Sequence, residues 1–136
     1  QARNLAKFLV AQAGNYIVGE DMPIAIHGKA YKPDVPYCIG SYSTLVGHYV
    51  KELGHAVKYI DPLADDQTDV VADLGNTPHV VLWAHNRKIT YEYTGDQQDT
   101  QPYCHIPSGS VIVDPWRKLV STEAVKVIHY GNTRGL

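Results

Sequence analysis

Residues 22–28 read Met22-Pro23-Ile24-Ala25-Ile26-His27-Gly28. The run is almost wholly apolar, shows no polar alternation and ends on a glycine. That is the pattern of a short strand buried on both faces, as in the middle of a parallel sheet. Similar runs recur downstream. Residues 56–60 end at the turn pair Asp61-Pro62, residues 79–84 read HVVLWA, residues 111–114 read VIVD, and residues 124–130 alternate through Val125, Val127 and partly Ile128. Between them lie helical stretches. In residues 41–53 one stripe holds Tyr42, Leu45, Val46, Tyr49, Val50 and Leu53, with Gly54 as the stop. Residues 65–74 read as a short helix, with acids in the first turn where the helix dipole favours them and Gly75-Asn76 at the end. Strand-helix-strand spacing argues for a parallel sheet with helices on its faces, and right-handed crossovers leave few topologies. The expected architecture is a Rossmann-like three-layer α/β domain. Its five-stranded, mostly parallel sheet has the order 2-1-3-4-5, and one connecting helix packs across it.

That connecting helix is residues 1–13, where Ala2, Leu5, Ala6, Leu9 and Ala13 share one face. No Ser, Thr, Asp or Asn cap precedes them, and Gly14-Asn15 supplies the stop. Residues 1–16 are therefore expected to be the end of a helix from a missing upstream domain; a tag scar or a processed end is the plainer account. Residues 17–136 are expected to be one domain. Within it residues 86–109 are polar and lack a helical period, although residues 88–93 alternate like a strand. An irregular excursion is expected there.

Composition narrows the function. The chain has 136 residues and a mass of 15.1 kDa, which suits a single core burying roughly 68–70 % of the unfolded surface. A net charge of -2, a pI near 6.4 and the lack of a basic cluster speak against nucleic acid as a partner. No apolar run approaches the roughly 18 residues of a membrane span. Cys38 and Cys104 are too few for a disulfide framework and lack metal-ligand spacing, so a cytoplasmic setting is expected. The seven histidines show no ligand spacing either, so no metal is expected. Cys38 would need a neighbouring base to act as a nucleophile.

With strand order 2-1-3-4-5, the ligand crevice of an open parallel sheet falls at the carboxyl ends of strands 1 and 3. Three segments should converge there: Gly28-Lys29-Ala30-Tyr31-Lys32, Trp83-Ala84-His85, and Asp114-Pro115-Trp116-Arg117. They offer Lys29, Lys32 and Arg117 as cations and Tyr31, Trp83 and Trp116 as planar faces. That set suits a phosphorylated ligand with a ring to stack. The plainer alternatives are solvated lysines, a packing role for Trp83 and a capping or ion-pair role for Arg117. The segment has neither G-x-G-x-x-G nor G-x-x-x-x-G-K-[ST]. Asp61 lies 33 residues beyond Gly28, against roughly 20 for the ribose-binding acid of a dinucleotide fold. An Asp-Pro turn explains it more simply.

The run Ile24-Ala25-Ile26-His27-Gly28-Lys29-Ala30-Tyr31-Lys32-Pro33-Asp34, followed by Ser41, Leu53-Gly54, Val57 and Tyr59-Ile60-Asp61-Pro62, resembles the C-terminal domain of UDP-glucose/GDP-mannose dehydrogenases. Val80-Val81-Leu82 and Val111-Ile112-Val113-Asp114 are similar in general character to that family's next two strands. The resemblance implies the UDP-binding part of an NAD-dependent enzyme that oxidises the C6 alcohol of a nucleotide-sugar such as UDP-glucose to a carboxylate. NAD would be held mainly by the upstream domain, and a central region would carry dimerisation or higher assembly and the catalytic Cys. Neither Cys38 nor Cys104 matches that Cys, so this chain would be non-catalytic alone.

Carried over by position, Tyr31 and Lys32 match the family's aromatic-lysine pair against the nucleotide-sugar, and backbone groups of Lys29, Ala30 and Tyr31 would hydrogen-bond the ligand. Arg117 is offset by one, since Trp116 takes the place where the family has its Arg. Ile39 stands where an Arg used on the cofactor side is expected. These departures point to a distant branch with another nucleotide-sugar. A free-standing α/β nucleotide-binding module and a subunit-interface module without enzymatic role are the alternatives.

Overall fold

The computed structural model describes residues 2–14, 21–29, 41–84, 105–117 and 119–130. In chain order the elements are α1 (Ala2–Ala13), β1 (Ile24–His27), α2 (Tyr42–Glu52), β2 (Val57–Ile60), β3 (Val80–Trp83), β4 (Val111–Asp114) and β5 (Lys126–His129). All pairings are parallel, and the order is β2-β1-β3-β4-β5. This is the expected Rossmann-like sheet. After β2 the chain passes over β1 to lay β3 on its far side, so the direction of winding reverses at β1.

One face of the sheet carries both helices. Leu5, Ala6, Leu9 and Ala13 of α1 and Val46 and Val50 of α2 pack on Ile24, Ile26, Val57, Tyr59, Val80, Leu82 and Val113. The buried residues of α1 are the stripe read from its periodicity. Ser41 caps α2, its hydroxyl accepting the Thr44 N–H at 3.1 Å. Gly47 lets α2 lie close to β2, because a Cβ there would overlap the Tyr59 hydroxyl.

The opposite face holds Ala25, Ile60, Val81, Trp83 and Ile112. It is covered by Leu74, Ile106, Leu119 and Val125, all from non-helical segments. The helix expected over residues 65–74 is replaced by turns and a bridge between Tyr59 and Val70. Asp66, expected in a helical first turn, closes a local turn instead by accepting the Thr68 N–H, and Asp73 at the other end of the segment accepts the Gly75 N–H. Such side-chain turns compete directly with the helical ladder. Asp69 at φ 61° lies outside helical space altogether. The segment pairs with the outer edge of β2 through the Tyr59 N–H to the Asp69 carbonyl and the Val71 N–H to the Tyr59 carbonyl, each 2.8 Å. At the other edge the Ser121 hydroxyl accepts the Val127 N–H at 2.8 Å and donates to the Val127 carbonyl at 3.4 Å. Backbone groups that would otherwise template aggregation are thus occupied. Of the excursion at residues 86–109, residues 86–104 lie outside the described residues. No helix of the described residues is long and apolar enough to cross a membrane.

Candidate functional site

The carboxyl edge of the sheet is built around two buried aspartates, each followed by proline. Asp61 closes β2. Its carboxylate accepts the Lys29 N–H at 2.9 Å and the Leu63 N–H at 3.3 Å, while the Gly28 N–H donates to the Ile60 carbonyl at 2.8 Å. Gly28 has φ 103°, a backbone that only glycine adopts without strain. The first residues beyond β1 are thereby bolted to the end of β2. Asp61 is a corner brace rather than a ribose ligand, as the turn reading of Asp61-Pro62 expects.

Lys29 departs from its expected role. It is 4 % exposed. Its ammonium donates to the Thr68 carbonyl at 2.7 Å, lies 3.4 Å from Asp66 and sits 5.0 Å from the centre of the Tyr59 ring. Its carbonyl accepts the hydroxyls of Ser41 and Ser43 at 2.8 and 2.9 Å. Both backbone polar groups and the charge are therefore engaged inside the domain, and a phosphate has no claim on them. The Thr68 N–H, the Thr68 hydroxyl and then the Lys29 charge hold the Asp66 carboxyl below its usual range. Lys29 staples β1 to α2 and to the loop after β2.

Trp83 is also relocated. It is 1 % exposed and stacks on His27, ring centroids 4.2 Å apart and planes 18° from parallel. Both rings belong to the face on which no described residue is helical, so Trp83 is a core residue and not a stacking platform for a ligand. The packing alternative is the one the structure bears out.

The second corner opens outward. Asp114 is fully buried at the end of β4. One carboxylate oxygen accepts the N–H groups of Trp116 at 2.9 Å and Arg117 at 3.1 Å, and the other accepts the Leu119 N–H at 2.8 Å. His129 Nε2 donates to the Leu119 carbonyl at 2.8 Å and lies 3.9 Å from the same carboxylate. The turn so held leaves Trp116 42 % exposed and puts Arg117 in the left-handed region at φ 57°. A long side chain held there carries a conformational cost of about 1–2 kcal/mol.

Of the expected site residues, Trp116 and Arg117 are brought to the carboxyl edge, Lys29 and Trp83 are turned into the domain, and Ala30, Tyr31 and Lys32 lie outside the described residues. Tyr42, read from periodicity as part of the apolar stripe of residues 41–53, is instead exposed, as are Leu45 and Leu53 of the same stripe. Tyr42 opens α2, and the neighbouring Ser41 and Ser43 hydroxyls fasten that end of the helix to the carbonyl beyond β1. Partial burial, and then the neighbouring Tyr130, push its phenol above the usual range.

Among the described residues the edge shows no dinucleotide cradle. The α2 N-terminus is capped by its own Ser41, and the one carboxylate near the ribose position is consumed by the Lys29 and Leu63 N–H groups. Among the described residues no group of three His, Cys, Asp or Glu is placed to hold a metal ion. No protein-family model matches the chain, and no curated protein matches it.

Proposed function

We propose that this domain is the nucleotide-sugar-binding, C-terminal part of a cytoplasmic, NAD-dependent dehydrogenase of the UDP-glucose/GDP-mannose type. It takes a UDP-sugar at the carboxyl edge of the sheet and leaves NAD and the catalytic Cys to upstream domains. The observation that carries the reading is the coincidence of sequence and topology at β1. The run from Ile24 to Asp34 that resembles the family starts on the strand where the winding reverses, which is where open parallel sheets hold ligands. The Asp114 turn adds support, since it keeps Trp116 and Arg117 at that same edge at a cost in backbone conformation. With Lys29 committed internally, Lys32 is the lysine of this loop left to meet a diphosphate, and Arg117 can grip one through two N–H groups. Trp116 then faces the base or sugar.

A thermal-shift panel tests the reading, because a ligand that binds only the folded state raises Tm, by about 2.7 kcal/mol of stability at a hundredfold excess over Kd. UDP and UDP-glucose should raise Tm more than GDP, ATP or NAD, and Lys32→Ala should remove most of the shift. A panel in which no uridine nucleotide moves Tm, or in which NAD alone does, overturns the proposal.

A further inference from the structure

At the amino edge of the sheet, opposite the proposed ligand site, a buried histidine joins strands that are not neighbours. His79 directly precedes β3 and is 1 % exposed. Its Nδ1 lies 2.6 Å from the Thr77 carbonyl and its Nε2 lies 3.1 Å from the Lys58 ammonium on β2. Its backbone N–H donates to the Ser110 hydroxyl at 3.0 Å, and its carbonyl accepts the Val111 N–H at 2.9 Å.

The two side-chain contacts fix the proton. A carbonyl can only accept, so Nδ1 carries hydrogen; an ammonium can only donate, so Nε2 is a bare lone pair. Register explains how Lys58 gets there. Lys58 pairs with Ala25, and Ala25 pairs with Val81, so β1 lies between lysine and histidine. Paired residues point to one face, and at this point β1 presents only a methyl group, over which the lysine stem passes. Lys58 is the charged group that meets His79 among the described residues. The other elements around it contribute Ala25, the Ser110 hydroxyl and the Thr77 carbonyl.

We propose that His79 and Lys58 form an acid-released clasp that ties β2 to β3 across β1 at the edge away from the ligand. A second proton on the ring would aim an N–H at an ammonium in a buried setting, so the Lys58 contact must break. Burial holds His79 below its usual range; the bond to the Thr77 carbonyl works against it, and the Lys58 charge adds a smaller push downward. The folded state therefore prefers the neutral ring, while the unfolded chain takes up a proton near about pH 6.5. The contribution of the clasp is complete above that pH and is lost as pH falls from there toward the lower folded-state value.

The test is Tm between pH 7.5 and 5.5 for the parent chain, His79→Gln and Lys58→Met. Glutamine keeps an acceptor for Lys58 but does not titrate. The parent should lose about 2–4 °C more than His79→Gln over that interval, the size expected for roughly 1 kcal/mol in a domain of this class. Lys58→Met should fall between the two, because removal of the cation leaves burial in place. An NMR titration of histidine Cε1–H signals in the parent covers the case in which a variant does not fold. The His79 ring, assigned by its absence from the His79→Gln spectrum, should protonate at a lower pH than an ordinary imidazole. Identical pH slopes for parent and His79→Gln, or an imidazole set in which every ring protonates near the ordinary value, would overturn the proposal.

Discussion

The two faces of the sheet are built from different materials. On one, the apolar stripe of α1 and Val46 and Val50 of α2 lie over Ile24, Ile26, Val80 and Leu82. On the other, loops bring single residues, Leu74, Ile106, Leu119 and Val125, over Ala25, Val81, Trp83 and Ile112. The helical face satisfies most of its backbone within the helices, and its side-chain bonds gather at the corner of Ser41, Ser43 and Lys29. Among the described residues the loop face has no helical ladder, so carboxylates, hydroxyls and imidazoles organise it: Asp114 accepts the N–H groups of Trp116, Arg117 and Leu119, Ser110 takes the His79 N–H, and His79 reaches Lys58. Buried polar groups are costly unless paired. The loop face should therefore tolerate polar substitution poorly and respond to pH, while the helical face should respond mainly to changes in volume.

The largest expected effects place the faces side by side. Leu9→Ala and Trp83→Ala each remove a fully buried side chain, one per face. They should cost about 2–5 and 3–5 kcal/mol respectively in urea denaturation. A loss below about 1 kcal/mol for Trp83→Ala would mean that the loop-covered face is not a packed core. Next is Asp114→Ala, which strands three backbone donors in the interior and should cost about 3 kcal/mol or more. Asp61→Ala frees two and should cost less, about 1–3 kcal/mol. Equal losses at the two corners would erase the difference drawn between them. Gly47→Ala probes the helical face by adding volume, and pushing the new methyl against the Tyr59 hydroxyl should cost about 1–3 kcal/mol with no pH dependence. The smallest effect has the opposite sign. Arg117→Gly relieves the left-handed backbone and should be neutral to about 1 kcal/mol stabilising, yet it should weaken the UDP-induced rise in Tm.

Legibility followed the same division. The stripe Ala2, Leu5, Ala6, Leu9 and Ala13 and the short apolar strands rest on local periodicity. They could be read directly, apart from a residue or two at the strand ends. Strand order followed from the spacing of those elements and the handedness of crossovers. The segment at 65–74 was misread because its acids fit two local programmes, and pairing with β2 through Tyr59 selected the turn over the helix. At the candidate site, Lys29 looked available because its partners are remote in sequence: the Asp61 carboxylate 32 residues away and the Thr68 carbonyl 39 away. Trp83 faced the same ambiguity until His27 stacked on it. The placement of Trp116 and Arg117 at the carboxyl edge was legible because the aspartate that holds their amides lies within three residues.

The most direct test of the central claim is to locate the ligand. In amide-resolved NMR of the 136-residue chain, UDP-glucose should shift Gly28, Ala84 and the Trp116 and Arg117 amides while leaving Thr77, His79 and Ser110 in place. Shifts confined to that amino edge, or no shift anywhere at millimolar UDP-glucose, would contradict the account.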